Sequence, residues 1–192
     1  EILIGLVGSE MCIRDSPETG CYPVSTTPVK SITMTLFNKK YRVETARADW
    51  HDYTAGTYFV TICTHHMANY FGEISDDALL CPTPAGTIAI QELITLPTYK
   101  PSVTLHIYVV MPNHIHLLLS ISDKTMRLSQ IIGAFKAAIS RKCNASHIPF
   151  KWQTRFHDHI VRTPAAFNQI QRYIHNNPKT WAADCFHPHN RP

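Results

Sequence analysis

The stretch that most constrains how this chain folds is residues 109–119, VVMPNHIHLLL. Side chains alternate between the two faces of a β-strand, so His114 and His116 share one face while Ile115 and Leu117 share the other. A run this apolar must be buried on at least one side. The stretch therefore predicts a strand that carries two imidazoles on one face and a hydrophobic core on the other.

Pro112 and Asn113 stand between this strand and a second apolar run, residues 105–110. Both residue types favour turns, because proline fixes its own φ angle and asparagine can hydrogen-bond to nearby backbone. We therefore expect a β-hairpin with the two histidines at the start of its second strand.

Histidine pairs with one intervening residue occur at 114/116, 157/159 and 187/189. Two imidazoles on one strand face can converge on a metal ion, although such a pair is more often an accident of composition. The 187/189 pair lies in a proline-rich tail, and the 157/159 pair has an apolar partner on one side only. Context therefore favours His114 and His116 as a metal-binding pair.

The length and composition fit one domain with a hydrophobic core: 192 residues, of which 44% are hydrophobic. The formal charge of +4 and the pI near 8.8 suit a polyanionic partner, but many ordinary proteins share such values. Since no apolar run reaches the length of a transmembrane helix, we expect no membrane span. Five scattered cysteines outside the first sixteen residues argue against a disulfide framework and fit a cytoplasmic protein.

The first residues are expected to be foreign to the protein. Residues 6–16, LVGSEMCIRDS, resemble the translation of a transposon-end adapter used to prepare sequencing libraries, so residues 1–16 are left out of the fold prediction. Without them the chain has 17 basic and 11 acidic residues, a balance of +6. Residues 17–49 are predicted to be a leader and a basic, aromatic-rich arm, with Met34 as the expected start.

The remaining pattern alternates short apolar strands with amphipathic helices. The predicted elements are a central strand at 57–64, a short strand within 69–74, a helix at 84–96 that Pro97 ends, the hairpin, a helix at 127–143, a strand at 155–162, and a last helix from Thr163 to about Asn177, stopped by Pro178. This order predicts an α+β domain with a ferredoxin-like antiparallel sheet covered by helices.

The last predicted helix carries a tyrosine beside its buried stripe. Phe167, Ile170 and Ile174 form the stripe, Tyr173 lies at its flank, and Asn177 follows one turn later on nearly the same side. A tyrosine at such a flank usually packs with its hydroxyl towards water, and an asparagine before proline usually ends a helix. Position alone therefore assigns neither residue a chemical role.

Five segments, in this order, resemble the REP-associated tyrosine transposases, relatives of the single-tyrosine transposases of small insertion sequences: TYFVTICT, VVMPNHIHLLL, IIGAFKAAISRK, FHDHIVRT and RYIHNNPKTW. The resemblance covers residues 50–188 and implies one HUH-type transposase domain. In that family a His-hydrophobic-His motif holds a divalent metal ion, and a helical tyrosine attacks DNA.

The resemblance implies a role for four residues. His114 and His116 match the histidine pair, Tyr173 matches the nucleophile, and Asn177 matches the polar residue that completes the metal site. Two imidazoles and one amide oxygen suit Mg²⁺ or Mn²⁺ better than a closed zinc site. The implied reaction is the nicking and rejoining of DNA through a 5′-phosphotyrosine.

The resemblance also implies a partner, single-stranded or hairpin DNA, because the family recognises folded repetitive palindromes. The candidate DNA contacts are basic side chains that could meet phosphates and one indole that could stack on a base: Lys136, Arg141, Lys151, Trp152, Arg155, Arg162 and Arg172. Each basic residue could equally be a solvated surface charge. Asp158 and His159 match a recurrent family segment, but no physical role follows for them.

Two other functions fit parts of the pattern. A histidine-triad nucleotide hydrolase also carries His-x-His on a strand, but it needs a third histidine where this chain has Leu118. A domesticated transposase that binds hairpin DNA without cutting it would keep the fold and the basic surface. The presence of both histidines and Tyr173 favours the enzyme over the binding protein.

Overall fold

The computed structural model describes residues 51–190. In chain order, these residues form β1 (Gly56–Cys63), β2 (Gly72–Ile74), β3 (Leu80–Pro82), α1 (Pro84–Tyr99), β4 (Val103–Val110), β5 (His114–Ile121), α2 (Leu128–Ala145), β6 (His157–Val161) and α3 (Pro164–Asn176). Short 3₁₀ helices lie at His65–Met67, Asn177–Ala183 and Pro188–Asn190. None of the helices in this part of the chain is long and apolar enough to cross a membrane. The adapter-like stretch, the leader, Met34 and most of the basic arm lie outside the described residues.

Four strands form an antiparallel sheet in the order β4-β5-β1-β6. Two strand-helix-strand units build it, β1-α1-β4 and β5-α2-β6, and residues of α1 and α2 share one hydrophobic core. This is the ferredoxin-like arrangement, so the predicted α+β fold with an antiparallel sheet is confirmed. The third helix, α3, packs on the other face of the sheet, against Phe59 of β1 and Leu118 of β5.

Alternation along β5 divides the hydrophobic residues between these two faces. Ile115, Leu117 and Leu119 have no exposed surface and belong to the core under α1 and α2. Burying a side chain of this size stabilises a protein by about 1.5–3 kcal/mol. His116 lies on the opposite face, where its ring centroid is 5.2 Å from that of Phe59. The predicted separation of imidazoles from core residues is therefore confirmed.

The turn that precedes β5 is buried and fixed by backbone hydrogen bonds. The N–H of Met111 donates to the carbonyl of His114 at 2.8 Å, which closes the predicted hairpin. The carbonyls of Pro112 and Asn113 accept from the N–H groups of Phe71 and Thr64 at 3.0 and 2.9 Å. His114 therefore follows a turn in which these backbone groups are hydrogen-bonded.

The end of α1 differs from the prediction. Pro97 does not end the helix, which continues to Tyr99. Proline removes the one N–H that would donate to the carbonyl of Leu93, and the N–H of Lys100 still donates to Leu96 at 2.9 Å. A single missing bond in the last turn is therefore tolerated.

The last helix begins as predicted but does not simply stop. The hydroxyl of Thr163 accepts from the N–H of Ala166 at 3.2 Å, and Pro164 is the first helical residue. The α-helix ends at Asn176, and the chain then continues through Pro178 as a 3₁₀ helix, because proline is accepted in a first helical turn. This 3₁₀ segment returns the chain to the sheet face that carries the histidines.

Candidate metal and nucleophile site

His114 and His116 lie side by side at the start of β5, with ring centroids 4.5 Å apart and no exposed surface. Burial lowers the pKa of His116 to about 3. Burial, and next the neighbouring ring, lower the pKa of His114 well below its ordinary value. Both imidazoles are therefore neutral at physiological pH, the form that binds metal ions.

Asn113 fixes the position of the proton on the ring of His114. Its amide nitrogen donates to the carbonyl of Phe186 at 2.8 Å, so its oxygen faces Nδ1 of His114, also at 2.8 Å. Nδ1 must then carry the proton, and Nε2 presents a lone pair. That Nε2 is buried and has no hydrogen-bond partner within the described residues. A buried acceptor left in this state costs about 1–3 kcal/mol, which points to a ligand.

The ring of His116 is held from both sides by hydroxyl groups. Thr61, its direct partner on β1, places its hydroxyl oxygen 2.8 Å from Nδ1. The hydroxyl oxygen of Tyr173 on α3 lies 3.3 Å from Nε2. The imidazole of His116 therefore contacts both β1 and α3.

The hydrophobic face of α3 explains why Tyr173 reaches the site. Ile170 and Ile174 are buried against the sheet, and Phe167 packs beside them, as the sequence predicts. Tyr173 is half-buried at the flank of this stripe, with its ring edge-on to Phe59 at 6.0 Å between centroids. Packing of the stripe thus turns the phenol towards His116.

Asn177 is buried, with 1% of its surface exposed, at the start of the 3₁₀ helix. Its amide nitrogen donates to a carboxylate oxygen of Asp184 at 3.2 Å. The other polar atom of this amide, the oxygen Oδ1, therefore faces away from Asp184. It is buried without a hydrogen-bond partner in the described structure. Asp184 also accepts from the N–H of Phe186, whose ring lies 4.5 Å from that of His114 between centroids.

Sequence reasoning missed Thr61, Asn113, Asp184 and Phe186 as parts of this site. Burial raises the pKa of Asp184, while hydrogen bonds from Phe186 and Asn177 oppose that rise. No local pattern marks these residues, because their role comes from contacts between distant parts of the chain. The Asn113–Phe186 hydrogen bond, for example, spans 73 positions.

Three buried side-chain atoms are candidates to bind a metal ion, and we call them the candidate metal set: Nε2 of His114, Nε2 of His116 and Oδ1 of Asn177. Two of them lack a hydrogen-bond partner in residues 51–190, and the third has the hydroxyl of Tyr173 at 3.3 Å. Within the same residues, no group of three or more His, Cys, Asp or Glu side chains could hold a metal ion. A metal here would therefore depend on the amide oxygen, a hard ligand that suits Mg²⁺ or Mn²⁺.

The predicted DNA contacts fall into three groups in the structure. Lys136 donates to the carbonyls of Gln153 and Thr154 at 2.6 and 3.3 Å, and Trp152 packs half-buried against Phe150. Arg141 lies on α2, on the far side of the sheet from α3. The remaining four are exposed: Lys151, Arg155, Arg162 and Arg172. Their contacts with DNA stay predictions.

The second histidine pair lies on the same sheet face as the first. His157 and His159 pair with Thr61 and Phe59 of β1, which in turn pair with His116 and Leu118 of β5. Because directly opposite residues share a face, both pairs lie on the sheet face that carries α3, with the second pair at the sheet edge. Asp158 points to the other face.

Residues 87–177 match the family of IS200-like transposases. The matched region contains both histidines of the candidate site, Tyr173 and Asn177. This finding confirms the resemblance inferred from the sequence: residues 87–177 are similar to the IS200-like transposases.

Two similar proteins extend this result. An uncharacterized protein of Haemophilus influenzae is 26% identical over 151 residues, which are 67% of this chain and 83% of the relative. A solved structure of a REP-associated tyrosine transposase bound to a REP hairpin has a TM-score of 0.53 at 19% identity, over 72% of this chain and 74% of that chain. The structural likeness shows a common fold.

Proposed function

We propose that this protein nicks and rejoins single-stranded or hairpin DNA through a 5′-phosphotyrosine on Tyr173. The observation that carries the proposal is the 3.3 Å contact between the hydroxyl of Tyr173 and Nε2 of His116. That nitrogen belongs to the candidate metal set, so the proposed nucleophile lies next to a proposed metal ligand. The transposase family match and the hairpin-bound structural relative support DNA as the substrate.

His114, His116 and Asn177 would hold a divalent ion, Mg²⁺ or Mn²⁺. Such an ion supplies Lewis-acid polarisation of the scissile phosphate. The chain orients each ligand through a second residue, since Asn113 fixes the proton of His114 and Thr61 contacts Nδ1 of His116. Burial keeps both imidazoles neutral, so no proton competes for their lone pairs at neutral pH.

The proposed reaction exchanges one phosphate ester for another. The hydroxyl oxygen of Tyr173 forms a bond to phosphorus, the bond from phosphorus to the 3′ oxygen breaks, and the hydroxyl proton ends on that 3′ oxygen. A 3′-hydroxyl can then attack the phosphotyrosine, which rejoins DNA and restores the hydroxyl of Tyr173. Because the number of phosphate esters is unchanged, the cycle needs no ATP.

The alternatives explain less of the site. Leu118, at the position of the third histidine of a nucleotide hydrolase, is buried against Phe59 and Ile174. A protein that only binds hairpin DNA has no need for two buried acceptors without hydrogen-bond partners, at His114 and Asn177. Metal-dependent cleavage accounts for both.

The metal part of the proposal is tested with His114→Ala and Asn177→Ala. Nicking of an end-labelled hairpin is measured with Mn²⁺ and with EDTA, and thermal unfolding is followed with and without Mn²⁺. We expect both variants to lose nicking and the rise in Tm that Mn²⁺ gives the wild type, since a ligand that binds the folded state stabilises it. Hairpin affinity should persist, because phosphate contacts are separate interactions.

His106→Ala is the matched control for these variants. His106 is an exposed histidine of the same sheet, and its Nε2 lies 2.7 Å from the hydroxyl of Ser120, away from the candidate metal set. It should keep nicking and the response to Mn²⁺. Wild-type nicking by a His114→Ala, His116→Ala double variant would contradict the assignment and make His157 and His159 the next pair to test.

A further inference from the structure

One row of paired residues crosses the sheet at His116. Val109 of β4 pairs with His116 of β5. His116 also pairs with Thr61 of β1, which in turn pairs with His157 of β6. Neighbouring strands are about 4.8 Å apart, so the backbones of His116 and His157 lie about 10 Å apart. Because opposite residues share a face, two imidazoles flank Thr61 on the face that carries α3.

Protein covers two sides of His116 on this face. Val109 packs with the hydrophobic side chains of α3, and the ring of Phe186 lies 6.3 Å from that of His116 between centroids. The third side leads to β6, which is the edge strand of the sheet, and His157 on this strand is half-buried. We therefore expect DNA to reach Tyr173 and His116 from the side of β6.

Exposed arginines stand at both ends of β6. Arg155 lies two residues before the strand, and Arg162 directly follows it. A guanidinium group matches the geometry of a phosphate and binds it through paired hydrogen bonds. Phosphates held by these two arginines would place a DNA strand along β6, over His157.

The proposed cleavage produces a poor leaving group. An alkoxide is a much stronger base than a phenolate, so the 3′ oxygen leaves phosphorus less readily than the oxygen of Tyr173 does. The attacking and leaving oxygens lie roughly in line on opposite sides of phosphorus, about 5 Å apart before the reaction. A proton donor on the far side of the phosphate from Tyr173 would therefore favour cleavage.

We propose that His157 is the general acid of cleavage and the general base of rejoining. This inference rests on the proposed function. Histidine is the side chain that most often transfers protons near neutral pH. On this face, His157 is one strand beyond Thr61, which contacts His116, and His116 in turn contacts Tyr173. The leaving oxygen would lie in the space between the two imidazoles.

The proton balance of the cycle is closed by solvent. As the oxygen of Tyr173 bonds to phosphorus, the bond from phosphorus to the 3′ oxygen breaks. The 3′ oxygen keeps the electron pair of that bond and takes a proton from the imidazolium of His157. The proton lost by Tyr173 goes to water, and His157 regains one from water. In rejoining, the neutral imidazole accepts the proton of the attacking 3′-hydroxyl.

His159 is the matched control residue for His157. It lies on the same strand and the same face, but it pairs with Phe59 and is exposed. Two residues along a strand place it about 7 Å farther along β6. Glutamine keeps a polar side chain of similar size and cannot transfer a proton at neutral pH. His157→Gln and His159→Gln therefore make the same chemical change at two distances from His116.

Replacing the leaving oxygen with sulfur tests the inference. A hairpin with sulfur at the scissile 3′ position releases a thiolate, which needs no proton because thiols are far more acidic than alcohols. Single-turnover cleavage of this hairpin and of the ordinary one is measured in Mn²⁺. We expect His157→Gln to cleave the ordinary hairpin about 100–10,000-fold more slowly than the wild type, and the sulfur hairpin within about threefold of it. His159→Gln should match the wild type on both.

The wild type provides a second test that does not depend on how a variant folds. Proton transfer to the leaving oxygen is slower in heavy water, so the ordinary hairpin should show a larger solvent isotope effect than the sulfur hairpin. Equal isotope effects on the two hairpins would contradict proton donation to the 3′ oxygen.

The outcomes distinguish this inference from the proposed function. Wild-type cleavage of the ordinary hairpin by His157→Gln overturns the acid–base role and leaves the nuclease proposal standing. An equal loss on both hairpins, in a variant that still binds DNA, does the same. If the wild type forms no covalent adduct with either hairpin, the nuclease proposal itself is overturned.

Discussion

Thr61 on β1 contacts the candidate site through its side chain. Its hydroxyl oxygen lies 2.8 Å from Nδ1 of His116. Thr61→Val keeps the side-chain shape and removes the hydroxyl. We expect Mn²⁺ affinity to fall by about 10–100-fold, as when the partner of a metal ligand is lost. Stability should fall by about 1–3 kcal/mol, because Nδ1 is left buried without a partner. Calorimetric titration with Mn²⁺ and urea unfolding measure the two effects.

Thr57 supplies the matched control for this residue. It lies on the same face of β1, and its hydroxyl oxygen is 2.8 Å from that of Ser120 on β5. Thr57→Val removes a similar cross-strand hydrogen bond away from the histidines. It should lower stability by about 0.5–1.5 kcal/mol and leave Mn²⁺ affinity unchanged. Equal losses of metal affinity in the two variants are incompatible with an orienting role for Thr61.

At the scale of elements, the first turn of α1 is pressed against the backbone that precedes β2. A Cβ on Gly86 would overlap the carbonyl oxygen of Phe71, which also accepts from the N–H of Thr83 at 3.0 Å. Gly86→Ala should therefore destabilise the protein by about 1–3 kcal/mol, since the backbone must move. Gly133→Ala on α2, where nothing lies within 4 Å of the new Cβ, should stabilise by about 0.5–1 kcal/mol.

Urea unfolding of the two glycine variants shows directly whether each replacement raises or lowers the free energy of unfolding. Both replacements add the same methyl group to a helix, so helix propensity alone makes both stabilising. A stabilised Gly86→Ala variant would show that α1 does not pack against Phe71 as described.

Elements with a clear hydrophobic period or a clear end signal were predictable from the sequence. Alternation along β5 separates His114 and His116 from the core residues, and Thr163 with Pro164 marks the start of α3. The β2–β3 pair was not predictable as a pair, since each strand has three residues and no period can be detected over that length. The position of Pro97 inside α1 depends on how the last turn packs, which the local rule for proline does not include.

The candidate site was predictable only where its residues belong to a motif. His114, His116, Tyr173 and Asn177 were inferred from the joint pattern of segments. Asp184 was not, because its place beside Asn177 depends on the path of the 3₁₀ segment after α3. Burial of Trp152 likewise arises from contacts with Phe71 and Phe150, which a search for basic and aromatic surface residues cannot show.

At the scale of the whole molecule, two of the predicted DNA-contacting arginines lie on opposite sides of the sheet. Arg172 is exposed on α3 next to Tyr173, whereas Arg141 lies on the side covered by α1 and α2. DNA cleaved at Tyr173 must approach from the α3 side. Arg172→Gln should therefore reduce the slope of log affinity against log salt by about 0.7–0.9, the value for one lost phosphate contact. Fluorescence anisotropy with a labelled hairpin measures that slope.

Arg141→Gln is the control for the salt experiment. It removes the same charge and lowers the net charge equally, so any effect of overall charge appears in both variants. We expect its slope to match that of the wild type. A reduced slope for Arg141→Gln with an unchanged slope for Arg172→Gln would place the DNA on the opposite face of the sheet from the candidate site.

Peptide mapping of the DNA adduct tests whether Tyr173 becomes covalently joined to DNA. Wild-type protein and Tyr173→Phe are incubated with hairpin DNA labelled on its 3′ side and Mn²⁺, and the denatured products are digested and sequenced by mass spectrometry. The wild type should carry the nucleotide on the RYIHNNPK segment. Tyr173→Phe should bind the hairpin, keep its stability within about 1 kcal/mol and form no adduct. An adduct on Tyr70, Tyr99 or Tyr108, or one that survives in Tyr173→Phe, would contradict the account.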